Sequence, residues 1–389
     1  MSIKELDSQY IAHTYNRFPL EIVKGEGSLM WDETGKEYID LGSGIAVNLL
    51  GACDPGWVRA VEEQLHQVQH TSNLFYTAPQ VKLAEQLCLR TGMKKVFFGN
   101  SGAEANECAI KVARKYAAEK KGEEYFTIIT LVNSFHGRTI TTLAATGQEV
   151  FHQDFKPLTS GFVHAPANDL AAVEQLVAQY KVAAIMVEPV QGEGGVLPLT
   201  AEFCKGLQKI ADEQDILLII DEVQTGNGRT GKLYGYMNFD LHPDVVTTAK
   251  GIGGGLPIGI CMLGERAEAV LTPGSHGSTF GGNPIAAAGA LHILNRVNDA
   301  LLQEVQEKSD YLFKTFAGKP GIKSVSGMGL MIGLETERPA GEIVARCREL
   351  GVLVLTAKTK VRLLPPLNIP MELLKKAADV IIKVAGEKA

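Results

Sequence analysis

The chain has 389 residues, of which 45% are hydrophobic and 21% charged. This is an ordinary globular composition that excludes disordered and collagen-like chains and is long enough for two or three domains. Its 44 acidic and 38 basic residues leave a net charge of −6, so no basic field exists to hold nucleic acid or an anionic membrane. No charge-free apolar run nears the roughly 18 residues that span a bilayer. Met1–Asp7 shows no apolar signal segment, and a cytoplasmic protein is expected. The six cysteines stand singly, with neither a zinc-ligand spacing nor a redox pair.

In chain order, turn-rich strands are predicted at Ser28–Trp31 and Glu37–Leu41. Apolar runs then predict strands at Val96–Gly99, Phe126–Leu131, Ala183–Glu188, Leu217–Asp221, Asp244–Ala249 and Ile260–Leu263. Amphipathic stripes between them predict helices at Gln80–Leu89, Ala103–Lys121 and Phe203–Glu213. This alternation gives an α/β fold with a mostly parallel sheet covered on both faces, whose ligands gather at the carboxyl ends of the strands. The last third reads as α+β. Helices are predicted at Pro284–Val297, Leu301–Phe316, Glu342–Leu350 and Glu372–Ala385, and strands at Gly329–Leu334, Val352–Leu355 and Val361–Leu364. The expected division is a large domain over 50–284 and a smaller one from 1–49 and 285–389.

Gly226–Gly231 fits GxGxxG and, with Lys232, nearly fits a P-loop. Both fingerprints need a helix directly after the loop; Leu233-Tyr234-Gly235-Tyr236 carries no helical stripe, so a long turn is the better reading. Ser101 and Glu104 form a capping box after the Val96–Gly99 strand, which leaves the N–H groups of Gly102 and Ala103 open to an anion; a plain cap is the alternative. Asp221 emerges at a strand end, where a carboxylate needs a cation, a metal or water. Lys250 lies between a strand end and the run Gly251–Gly255. A buried lysine there keeps a free amine for Schiff-base chemistry, although a solvated surface charge is the commoner fate of a lysine. Phe135 and His136 end another strand region and could be simple packing residues. Glu188 and Glu193 stand five apart in a glycine loop, compatible with a glycosidase pair or with surface charge. Together, an anion cradle, an aromatic ring, a strand-end aspartate and a strand-end lysine at one sheet edge are the groups that pyridoxal phosphate requires.

The segments GNSGAEANECAIK (Gly99–Lys111), SFHGRT, VEPVQGEGG, IIDEVQTGNGRTG, TTAKGIGGGLPIG, HGSTFGGNP and VRLLPPL resemble, in this order, the class III aminotransferases of fold type I. GIAVN at Gly44–Asn48 extends the resemblance toward the N-terminus. The resemblance implies pyridoxal 5'-phosphate as cofactor, Lys250 as its covalent partner and proton carrier, and Asp221 as partner of the ring nitrogen. Gln224 would meet the phenolic oxygen, Phe135 the ring face, and Gly102 and Ala103 the phosphate, with Glu222 and Val223 alongside. Thr279 would reach the phosphate from the second subunit of a homodimer. The implied reaction moves the δ-amino group of N-acetylornithine to 2-oxoglutarate, with ornithine or 4-aminobutyrate as the alternative donor. Arg138 would hold the distal carboxylate of both substrates, helped by Ser278. Arg362 would bind the α-carboxylate of glutamate and otherwise pair with Glu193. Tyr15 and Phe75 would line the mouth or simply pack. Gly51–Pro55 departs from the family's Gly-His-x-His-Pro pattern. A hydride-transfer enzyme would need a glycine loop that opens a helix. A non-catalytic relative would be marked by loss of Lys250 or Asp221, and both are present.

Overall fold

The computed structural model describes residues 1–387. Its centre is a seven-stranded sheet in the order Lys95–Gly99, Gly259–Leu263, Val245–Thr248, Leu217–Asp221, Val182–Val187, Thr127–Leu131, Phe162–Ala165. Six strands run one way and Gly259–Leu263 runs against both its neighbours. Ile260–Leu263 is thus a strand as expected, and it is the one antiparallel member of the mostly parallel sheet. Only the single turn Lys250–Gly253 and a short loop join Val245–Thr248 to Gly259, and a parallel return needs a longer crossover. Phe162–Ala165, which the apolar pattern does not predict, is the half-buried edge strand.

Side chains alternate between the faces of the strands. Ile128, Ala184, Met186, Leu217, Ile219 and Val245 pack with Ala109, Val112, Ala113 and Tyr116 of the helix Gly102–Lys121. Ile129, Ile185, Val187, Leu218, Ile220 and Val246 share the other core with Leu83, Leu87, Phe203 and Leu207. Burial on both faces explains why these strands read as unbroken apolar runs.

The N-terminal strands Ile22–Glu26, Leu29–Asp32 and Glu37–Asp40 form one sheet with Val352–Leu353, which pairs in parallel with Ile39 and Asp40. A second sheet orders Ile322–Met328, Met331–Thr336, Lys360–Leu363 and Leu355–Ala357 beside helices Ala340–Glu349 and Met371–Ala385. The chain's two ends therefore meet in space. Helix Pro284–Arg296, read with the C-terminal region, packs instead on Pro55–Leu65 and Ala78–Thr91. Its small residues Ala286, Ala287, Gly289 and Ala290 allow that close approach, and Trp57 lies against Gly289. At the Gly51–Pro55 departure, Asp54 caps helix Pro55–Leu65 and also meets His292 at 3.1 Å and Arg296 at 3.4 Å.

Gly259 fixes how closely the antiparallel strand approaches the start of the helix Gly102–Lys121. A Cβ at Gly259 would sit 1.9 Å from the carbonyl oxygen of Ser101, and backbone on both sides cannot yield cheaply. Gly259→Ala should lose at least about 2 kcal/mol of stability, measured by chemical denaturation.

Candidate active site

The carboxyl ends of the strands converge on a cavity of about 460 Å³, within the range of small-ligand sites. Asp221 ends its strand 3% exposed. Asn106, on the facing helix, donates to Asp221 Oδ2 at 2.8 Å and to the His136 carbonyl at 2.7 Å. His136 Nδ1 lies 2.8 Å from the same Oδ2, and the Val223 N–H donates to Oδ1 at 3.0 Å. Thr247, from the next strand, donates to Asn106 Oδ1 at 2.6 Å. Three segments thus donate to one carboxylate while Thr247 steadies one of the donors, leaving one lone pair on Oδ1.

Opposite stands the capped start of the helix Gly102–Lys121, where Ser101 Oγ accepts the Glu104 N–H at 3.1 Å. The N–H groups of Gly102 and Ala103 find no acceptor among the described residues. A Cβ on Gly102 would stand 2.8 Å from Val223 Cγ1, so only glycine keeps this cradle open. Lys250 lines the cavity with φ of 47°, a left-handed conformation that a non-glycine residue holds only where its surroundings enforce it. Burial pushes its amine below the ordinary lysine range, and the Arg362 cation pushes the same way against Glu193, Asp221 and Glu188.

Glu188 bridges two loops: Phe135 N–H donates to Oε1 at 2.8 Å and Gly192 N–H to Oε2 at 3.0 Å. Burial, aided by Asp221, raises its carboxyl to about 7. Beyond it, Arg362 is 3% exposed and meets Glu193 through both guanidinium ends, Nη1 at 2.5 Å and Nη2 at 3.3 Å. Gln224 Oε1 accepts from Arg362 at 3.2 Å. Burial would raise the Glu193 carboxyl, but Arg362, with Lys250 and Gln224, holds it below its usual value. Arg138 lies at the exposed mouth with no ion pair among the described residues.

The cavity brings together Gly102, Ala103, Phe135, Arg138, Glu193, Asp221, Val223, Gln224 and Lys250. Arg362 joins them through Glu193 and Gln224. Glu222 does not belong: its buried carboxylate turns away, accepting from Thr225 Oγ1 at 2.6 Å and Tyr236 N–H at 2.7 Å. Ser278 spends its hydroxyl on Asn100 Nδ2 and the Gly281 N–H. Thr279 is exposed outside this cavity. Tyr15 and Phe75 are exposed at 74% and 67%. The sequence reading missed Asn106 and Thr247, and offered His136 only as a packing residue, whereas its loop brings it to Asp221. The signal for Asn106 was its spacing, one helical turn past Gly102 on the same face.

The groups present fit pyridoxal phosphate. The open N–H pair matches its phosphate, Asp221 its ring nitrogen, and the amine of Lys250 its aldehyde.

The class III aminotransferase family model matches residues 10–385. An acetylornithine aminotransferase of Haemophilus ducreyi is 52% identical over 99% of this chain and 98% of its own. One of Methanocaldococcus jannaschii is 42% identical over 98% and 96%. Among solved structures, the ornithine aminotransferase of Toxoplasma gondii matches with TM-score 0.94 at 32% identity, covering 98% of this chain and 94% of that one. The N-acetylornithine aminotransferase of Stenotrophomonas maltophilia matches with TM-score 0.85 at 36%, covering 98% and 97%.

Burial raises Glu222 from 4.5 to about 7. Between those values the folded chain keeps a proton that the unfolded chain has released, so stability falls as pH rises through the window. Glu222→Gln stays neutral and should flatten that fall by about 3 kcal/mol, read from denaturation midpoints across the pH range.

Proposed function

The chain belongs to the class III aminotransferases, and we propose that it moves the δ-amino group of N2-acetyl-L-ornithine to 2-oxoglutarate. The products are N-acetyl-L-glutamate 5-semialdehyde and L-glutamate, a step in arginine biosynthesis. The substrate assignment draws on the acetylornithine aminotransferases that match nearly the whole chain. The observation that carries it is the Glu193–Arg362 pair beside Lys250.

The Gly102–Ala103 cradle, Val223, Phe135, Asp221 and Lys250 would hold pyridoxal phosphate, which when bound would supply an electron sink for the carbon that loses its proton. Asp221 holds a proton at the ring nitrogen, and its own position is fixed by Asn106 and His136. Lys250 Nζ moves the proton at the reacting carbon, and its depressed affinity for a proton keeps it available as a base. Arg138 anchors the carboxylate far from the reacting amine.

The two substrates differ next to the reacting carbon. Glutamate carries a carboxylate there and acetylornithine does not. Arg362 binds the glutamate α-carboxylate as a fork once Glu193 gives way. With acetylornithine, Glu193 stays on Arg362, because a buried cation without an anion costs several kcal/mol.

The second subunit of a homodimer would bring Thr279, and Ser278 beside it, to the partner's cavity. Leu74, Phe75, Tyr76 and Phe280 are large and exposed, and Asn73 ties their segments together through the carbonyls of Ser278 and Gly281. An apolar patch of this kind marks an association surface. The setting proposed is the cytoplasm: no helix among the described residues is long and apolar enough to cross a membrane, and all six cysteines are free.

Each half-reaction can be followed alone by the absorption spectrum of the holoenzyme. N-acetylornithine without a keto acid should convert the visible cofactor band to the amine form; a band that answers only to ornithine or 4-aminobutyrate would overturn the substrate assignment. Lys250→Ala should abolish both halves and leave the fold intact. Arg362→Ala should slow the glutamate half about 100-fold or more and the acetylornithine half under about 10-fold. Equal losses would overturn the switch.

A further inference from the structure

Of the two arginines of the site, Arg362 is paired with Glu193 and Arg138 has no carboxylate partner among the described residues. Its guanidinium lies 4.2 Å over the Phe151 ring and 5.5 Å over the Phe135 ring. The two rings meet edge to face, with centroids 6.0 Å apart. Phe135 is accounted for by the cofactor face. Phe151 is not, and no role in the reaction attaches to it.

An arginine on a flexible stem must be ordered before it can meet a carboxylate with both arms. An acidic neighbour would order it but would also neutralise it and compete with the substrate. A ring face orders the cation from above and leaves the in-plane N–H groups free for a bidentate contact. Phe151 is placed for this. It closes the single turn Glu149–Phe151, and both flanks of that turn are pinned. Gln148 donates to the Ser134 carbonyl at 3.0 Å, on the loop that carries Phe135 and Arg138. The buried His152 sets Nε2 at 2.9 and 2.8 Å from the carbonyls of Leu143 and Thr146.

Resting on the reading of Arg138 as the carboxylate anchor, we propose that Phe151 is a positioning and specificity residue that holds the Arg138 guanidinium for the distal carboxylate of both substrates. It selects for that carboxylate without touching it.

The test is half-reaction kinetics of the holoenzyme with N-acetylornithine, glutamate and N-acetyl-1,4-diaminobutane, which is acetylornithine without its carboxylate. Phe151→Leu keeps apolar bulk and removes the ring face. It should raise the half-saturation concentration for both carboxylate substrates about 5- to 20-fold, in line with a partly buried cation–π contact. Maximal rates should stay within about twofold, and the carboxylate-free amine should be unaffected. Phe151→Tyr, which restores a ring face, should return both substrates to within about twofold of the parent. An equal effect of Phe151→Leu on all three amines, or a loss in maximal rate alone, would overturn the proposal. So would a failure of Phe151→Tyr to recover affinity. Arg138→Ala separates the two layers. If it keeps the preference for the carboxylate-bearing amine, the reading of Arg138 itself is wrong; if it erases that preference while Phe151→Leu keeps it, only the role of Phe151 falls.

Discussion

Asp221 ends a strand inside the molecule with a carboxylate that water scarcely reaches. A buried charge of this kind is tolerated only when its lone pairs are met, and here the donors come from Asn106, His136 and the backbone of Val223. Those donors sit on a helix, a loop and the turn after the strand itself. Satisfying one charge therefore sets the helix Gly102–Lys121 against the strand and draws in the loop that carries Phe135 and Arg138. The same helix presents its open N–H pair to the cavity. The anion cradle and the ring-nitrogen partner are thus held at a fixed separation by one hydrogen-bond network.

The two arginines solve opposite problems. Arg362 is buried and paired with Glu193, and in the proposed switch it would exchange that anion for a substrate carboxylate. Arg138 stands at the water's edge, where an unpaired cation costs little, and its order comes from aromatic faces. Under the proposed switch a single cavity would accept an amine with a neighbouring carboxylate and one without, because only the inner arginine would change partner.

Much of the sheet is legible in the sequence. Strands buried on both faces become unbroken apolar runs, as at Val182–Val187 and Leu217–Asp221. Phe162–Ala165 is not legible, because an edge strand is half-buried and mixed in character. The reversal of Gly259–Leu263 was readable only from the shortness of its connection. In the site, residues with strand-end positions or glycine neighbours stood out, whereas Asn106 and Thr247 did not. They are neutral, and their partners lie 115 and 141 residues away in the chain. Glu222 was misplaced by adjacency to Asp221. Its carboxylate instead accepts from Thr225 Oγ1 and the Tyr236 N–H, away from the cavity.

Glu188 shows how the remaining charge is managed. It sits within reach of Asp221, and burial lifts its proton affinity to about 7. Burial disfavours its charged form, which limits the negative charge gathered around Asp221. Its two oxygens accept the N–H groups of Phe135 and Gly192. One of these precedes the loop that reaches Arg138 and the other precedes Glu193. The outer anchor and the inner gate are therefore hung from the same side chain.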